Sequence, residues 1–94
     1  MLSKTPIELG RIGKKEFDKE ILRIAIIAEL DAINLYEQLA AQTDDVDMKK
    51  VLMDVADEEK THFGEFQAML LRKDEQQVTE LEKAKKEVRD LTGK

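Results

Sequence analysis

The sequence predicts an all-α fold: an antiparallel two-helix hairpin followed by a shorter C-terminal helix, forming half of a four-helix bundle that a two-fold dimer completes. Three observations carry this. Hydrophobic residues make up 41% and charged residues 39%, with four Gly and one Pro in 94 residues, the composition of long amphipathic helices. Two runs of helical period, 16–42 and 45–72, are separated by a turn of polar residues. The first run is apolar over more than one face, which a hairpin alone cannot cover, so self-association is expected. A chain of this length makes one domain with a modest core.

Residues 1–15 carry Pro6, Gly10 and Gly13 without a sustained period and are expected to be an N-terminal arm; the helical domain is expected over 16–92. The first helix has no Gly or Pro and bears Ile21, Leu22, Ile24, Ala25, Ile26, Ile27, Ala28, Leu30, Ala32, Ile33, Leu35 and Leu39. Thr43-Asp44-Asp45 forms the turn from N-cap residue types, and Asp47 suits the positive end of the next helix dipole. The inner stripe of the second helix is Met48, Leu52, Val55, Ala56, Glu59, His62, Phe66, Met69 and Leu70. Gly64 within it costs about 1 kcal/mol relative to Ala without ending the pattern. Lys73-Asp74 is a second break, and Asp74 with Gln77 three residues on resembles a capping box. The third helix carries Val78, Leu81, Ala84, Val88 and Leu91 on a narrow stripe and is expected to be peripheral, with Gly93 as its stop.

Composition also removes function classes. Zero cysteines excludes disulfides, thiolate zinc sites, iron–sulfur clusters and redox thiols. A net charge of −5 argues against nucleic-acid binding and is compatible with attracting cations. No secretory leader is legible, and the most apolar window, 21–41, is interrupted by Arg23, Glu29 and Asp31, unlike a membrane span. A soluble protein of the cell interior is the expectation.

The chemistry concentrates at Asp57-Glu58-Glu59-Lys60-Thr61-His62 together with Glu29. Glu59 and His62, three apart, share one face of a helix among Leu52, Val55, Ala56, Phe63, Phe66 and Leu70. Glu29 sits likewise among Leu22, Ala25, Ile26, Ile33 and Tyr36. Burying an uncompensated carboxylate costs several kcal/mol, roughly, and a metal ion is the leading compensator. In an antiparallel hairpin centred on Asp44, Glu29 and Glu59 are equidistant from the turn and face each other, each about 22 Å from it. Di-iron carboxylate bundles take a Glu from each of two helices and a Glu-x-x-His from each of the other two. This chain supplies half of that set, so a two-fold dimer supplies the whole, with two irons per dimer. The donor set suits iron or manganese over copper or calcium, though it does not separate iron from zinc. Glu58, about 100° around the helix from Glu59, reads as solvated, as do Asp54, Asp57 and Lys60. The four methionines read as initiator and filler rather than a soft-metal site. Tyr36 reads either as a core tyrosine with a polar partner for its hydroxyl or as a residue serving the site.

The run Ala28-Glu29-Leu30-Asp31-Ala32-Ile33-Asn34-Leu35-Tyr36, followed by Asp57-Glu58-Glu59-Lys60-Thr61-His62, resembles the encapsulated ferritins, the ferritin-like cargo of encapsulin nanocompartments, over about residues 16–92. The resemblance implies a ferritin-like fold and a ferroxidase. Its di-iron centre forms between subunits in a ring of dimers, and iron storage depends on an encapsulin shell in the cytoplasm. By position, Glu29, Glu59 and His62 match the family's iron ligands and Tyr36 its site-adjacent, catalytically associated tyrosine. Asp31 matches an acidic residue of the family's iron entry path, while Ala28 stands where a Glu is often found. No shell-targeting peptide is legible after Lys94; the expectation is a trimmed chain, or a domain fused in the natural protein to a shell subunit. Two rivals stand beside this reading. One is a rubrerythrin-like di-iron peroxidase, whose chains usually carry both half-sites and often a cysteine-ligated iron domain. The other is a non-catalytic helical oligomerisation module in which Glu29, Glu59 and His62 are a buried polar cluster fixing register.

Overall fold

The computed structural model describes residues 13–94 and, within them, three helices: α1 (Lys14–Gln42), α2 (Val46–Lys73) and α3 (Glu75–Thr92). The expected arm over 1–15 lies outside the described residues as far as position 12; positions 14 and 15 belong to α1, which begins two residues before the expected start at Glu16. The apolar period could not reveal this first turn, because Lys14 and Lys15 carry none of it.

The helix ends follow from their capping chemistry. Asp45 is the N-cap of α2, its Oδ1 accepting from the backbone N–H of Asp47 at 2.9 Å and of Met48 at 3.0 Å, which satisfies two of the donors a helix start leaves open. Asp74 is the one residue between α2 and α3. Its Oδ1 accepts from the Gln77 N–H at 3.0 Å, the forward half of the expected capping box. Gly93 ends α3 at φ 73°, donating its N–H to the Arg89 carbonyl at 2.8 Å, a left-handed cap that a Cβ would strain.

Cross-helix ion pairs fix the direction of the hairpin. Asp18 meets Lys73, Glu29 meets His62 and Glu37 meets Lys60, so positions rising along α1 pair with positions falling along α2. Side chains lean toward their own helix N-terminus. Glu37 and Lys60 therefore reach toward each other in an antiparallel pair and close at 3.0 Å.

The core is thin. Ile33, Ala40, Ala56 and Leu70 are its buried apolar residues, and no large side chain is fully buried among the described residues. The remaining apolar surface divides between two sides of the hairpin. At 100° per residue, Lys60 and His62 lie on opposite sides of Glu59. The ion pairs Glu37–Lys60 and Arg23–Asp74 therefore mark a back face, and His62 belongs to the front. Ile21, Leu39, Val51 and Met69 stand exposed toward the front; Ile27 and Leu30 stand exposed on the back, in line with Arg23. The stripe expected to be internal on α2 is thus only partly so. Met48, His62 and Met69 are exposed: Met48 lies in the first turn of α2, His62 and Met69 lie toward the front edge of the contact with α1, and none of the described residues covers them.

α3 is peripheral. It touches α2 near their junction and runs out of reach of α1, giving the described chain extents of 46 × 43 × 20 Å, a flat L with α3 as its arm. Asp74, 7% exposed, holds the corner, accepting a hydrogen bond from Arg23 Nη2 at 3.0 Å while capping α3. The Gln77 N–H, with Arg23 and Lys19 adding to it against the effect of burial, holds the Asp74 carboxyl below its ordinary value of 3.8. A depressed carboxylate contributes stability that is complete above its unfolded value and lost as pH falls through the lower folded one. Asp74→Asn is accordingly expected to melt with a weaker pH dependence than the parent below the ordinary carboxylate range. Thermal melts followed by circular dichroism across that range check this, and identical acid limbs would rule out the role.

Candidate metal centre

Helical geometry brings the three sequence-predicted ligands together. Glu29 of α1 and Glu59 and His62 of α2 each place one donor atom within 4.8 Å of the others, midway along the hairpin as the mirror relation about Asp44 requires. His62 Nδ1 lies 3.7 Å from Glu29 Oε2 and 3.5 Å from Glu59 Oε2. These are longer than good hydrogen bonds. Two donors that each lie about 2.1 Å from a shared metal are roughly 3 to 3.5 Å apart; the Glu59 contact is at that separation and the Glu29 contact slightly beyond it.

The electrostatics point the same way. Both carboxylates are largely covered, with side chains 18% and 20% exposed, and the Oε2 of Glu29 is buried with no hydrogen-bond partner. An orphaned carboxylate oxygen is costly in a folded chain, and cation coordination is the chemistry that relieves it. The residues present thus fit a divalent ion bound by two carboxylate oxygens and one imidazole nitrogen. Glu58, Asp54 and Asp57 are exposed, as expected, and Tyr36 is half-buried on α1 two turns from Glu29.

His62 differs from its expected setting. Its side chain is 46% exposed, so within one chain the donor set opens to the front face instead of closing inside the hairpin.

Behind the site, Lys60, read from the sequence as surface, is tied to Glu37 of α1 at 3.0 Å. Glu37 hydrogen-bonds Lys60 and, with Asp57, holds its ammonium above the ordinary lysine value, so Lys60 is charged throughout the physiological range. The legible signal was opposite charge on antiparallel helices at offsets where both side chains lean together.

The comparisons with known proteins agree in kind. A family model described as Rubrerythrin matches residues 20–92. The chain is 56% identical over 95 residues to a ferritin-like-encapsulin shell fusion protein of Pyrococcus furiosus, covering 99% of this chain and 28% of that protein. It is 37% identical over 85 residues to an encapsulin nanocompartment cargo protein of Myxococcus xanthus, covering 87% of this chain and 65% of that one. The chain therefore spans under a third of the first relative and about two thirds of the second. Among solved structures it is similar to the encapsulated ferritin domain from Pyrococcus furiosus, with a TM-score of 0.85 and 54% identity over all of this chain and 98% of that one. No helix among the described residues is long and apolar enough to cross a membrane.

Proposed function

The chain belongs to the rubrerythrin family and, within it, to the encapsulated ferritins, and on that premise we propose that it is a ferroxidase whose active centre assembles from two copies. The observation that carries this is the orphaned Oε2 of Glu29 converging with Glu59 and His62 on an open front face. Two such faces joined by a two-fold axis bring together two lone Glu and two Glu-x-x-His, the full donor set of a di-iron carboxylate bundle. The exposed Ile21, Leu39, Val51 and Met69 on that side supply apolar area for the contact.

Fe(II) is the substrate, two ions per dimer. Glu29 and Glu59 hold it through ionised oxygens, hard donors that accommodate both Fe(II) and Fe(III), and neutral His62 completes each half. One electron leaves each iron for dioxygen or a peroxide. Because the donors must be deprotonated, iron affinity is expected to fall as pH drops through His and carboxylate protonation. Tyr36, on the same helix as Glu29, is the residue we place beside the centre. A dimer of this size cannot enclose a mineral. Storage therefore needs an encapsulin shell, either fused to the chain or enclosing it as cargo in the cytoplasm, around a ring of dimers. The relatives' names support that partner.

Anaerobic Fe(II) titration followed by air, monitored by absorbance and accompanied by sedimentation, tests the reading. Saturation near one iron per chain and oxidation on air are expected. A stable oligomer that takes up no stoichiometric iron would make the cluster structural, as in an inert helical module. The family model's rubrerythrin description favours a second reading, a di-iron peroxidase. Oxidation much faster with hydrogen peroxide than with dioxygen would select it.

A further inference from the structure

The metal-free donor set does not hold itself in place. His62 Nδ1 stands 3.7 Å from Glu29 and 3.5 Å from Glu59, too far for good hydrogen bonds. The surrounding packing is no lock either, since no large side chain is fully buried among the described residues. Two helices packed this lightly can slide and roll against each other, and either motion would separate Glu29 from Glu59. Their register then depends on contacts outside the donor set.

The back of the hairpin supplies one. Lys60 directly follows Glu59 in α2 and Glu37 directly follows Tyr36 in α1, and their side chains close at 3.0 Å. Asp18–Lys73, which also joins the two helices, is 3.7 Å long. Measured from Asp44, Lys60 stands further along the hairpin than Glu37 by a rise of about 13 Å. The tie therefore runs on a slant, and the two side chains close that span by reaching toward each other along the helix axes. A slanted tie opposes sliding, which a level contact hardly does. It also opposes roll, because Lys60 stands about 100° around α2 from Glu59, on the side away from His62.

We propose that Glu37 and Lys60 are positioning residues of the metal centre, their ion pair fixing α2 against α1 so that Glu59 and His62 stay opposite Glu29. This rests on the metal centre proposed above and deepens it. Neither residue touches the ion; each acts through the helix that carries its ligand. Their side chains are 42% and 52% exposed, so the pair adds little to global stability. Electrostatics alone makes the opposite prediction for binding. Lys60 is a cation near a cation site, and deleting its charge would tighten binding of a divalent ion by removing repulsion. If the pair is a brace, the same deletion weakens binding. The sign of one affinity change decides between them.

The experiment titrates the purified chain and its variants with Co(II), whose visible absorption reports both occupancy and ligand geometry. Metal-free thermal melts and sedimentation accompany each titration. Lys60→Met keeps the aliphatic stem and loses the charge. It is expected to bind Co(II) about tenfold more weakly, the lower end for groups that orient a ligand without touching the metal, and with an altered spectrum. Its metal-free melting temperature and its mass should match the parent's. Lys60→Arg, which still reaches Glu37, is expected to recover both affinity and spectrum. Lys73→Met removes an equal charge from the same helix and breaks the pair with Asp18; it should bind Co(II) no more weakly than the parent. Binding by Lys60→Met as tight as the parent's, or tighter, overturns the brace. So does equal weakening in Lys73→Met, no recovery in Lys60→Arg, or a weakening that comes with lost stability or changed mass. A parent that takes up no Co(II) overturns the metal centre itself, and the brace with it.

Discussion

Glu59→Ala is expected to oxidise Fe(II) in air no faster than protein-free buffer, a loss of at least about a hundredfold, given that even residues merely supporting a metal ligand cost 10- to 100-fold when removed. Glu59 is the hinge of the donor set: it shares a helix face with His62 at 3.5 Å and lies opposite Glu29 across the hairpin. Without it each half-site retains one oxygen and one nitrogen donor, too few to hold an ion through a change of charge. His62→Ala leaves both carboxylates and is expected to weaken iron binding more than it slows the oxidation of bound iron. Stopped-flow absorbance at saturating and limiting Fe(II) separates the two effects. Full activity in Glu59→Ala would remove the site assignment whatever His62 does.

Glu29→Met is expected to change two quantities in opposite directions. The Oε2 of Glu29 is buried without a partner, so the metal-free fold carries an uncompensated polar atom, for which typical penalties are about 1–3 kcal/mol. A thioether of similar length fills the same space without that demand. The metal-free variant should therefore melt several degrees higher than the parent, on the order of 4–8 °C per kcal/mol for a chain of this size, while iron uptake disappears. Such opposition marks a position held for function at the expense of stability. Calorimetry of both proteins after chelation, at equal concentration, gives the comparison. A variant less stable than the parent would mean that Glu29 is structural.

Most of the fold was legible because its determinants are local. Helical period placed α1 and α2 to within two residues, Asp45 and Asp74 announced their caps, and the mirror relation of Glu29 and Glu59 about Asp44 needed only a constant rise per residue. What was not legible depends on where long side chains end and on what lies outside the chain. Lys60 read as solvated surface because nothing local to α2 names Glu37, twenty-three positions earlier, as its partner. Asp74 was readable as a cap but not as the tie to Arg23, which depends on how α3 leaves the hairpin. His62 and Met69 matched an inner stripe by spacing and are exposed in a single chain, because periodicity marks a residue as apolar-facing without saying whether the cover comes from the same molecule.

The thinness of the core has a thermodynamic consequence. Among the described residues Ile33, Ala40, Ala56 and Leu70 are the buried apolar ones, so little of the free energy of folding comes from their packing within one chain. In the proposed assembly, association supplies the rest, and the melting temperature is then not a constant. It is expected to rise with the logarithm of protein concentration and to fall on dilution, with unfolding and dissociation as one transition. The hairpin itself, closed by the short turn 43–45, can form and dissolve quickly; the slow, second-order encounter of chains then decides how much of it persists. A newly made molecule would settle into its final form only as others accumulate around it.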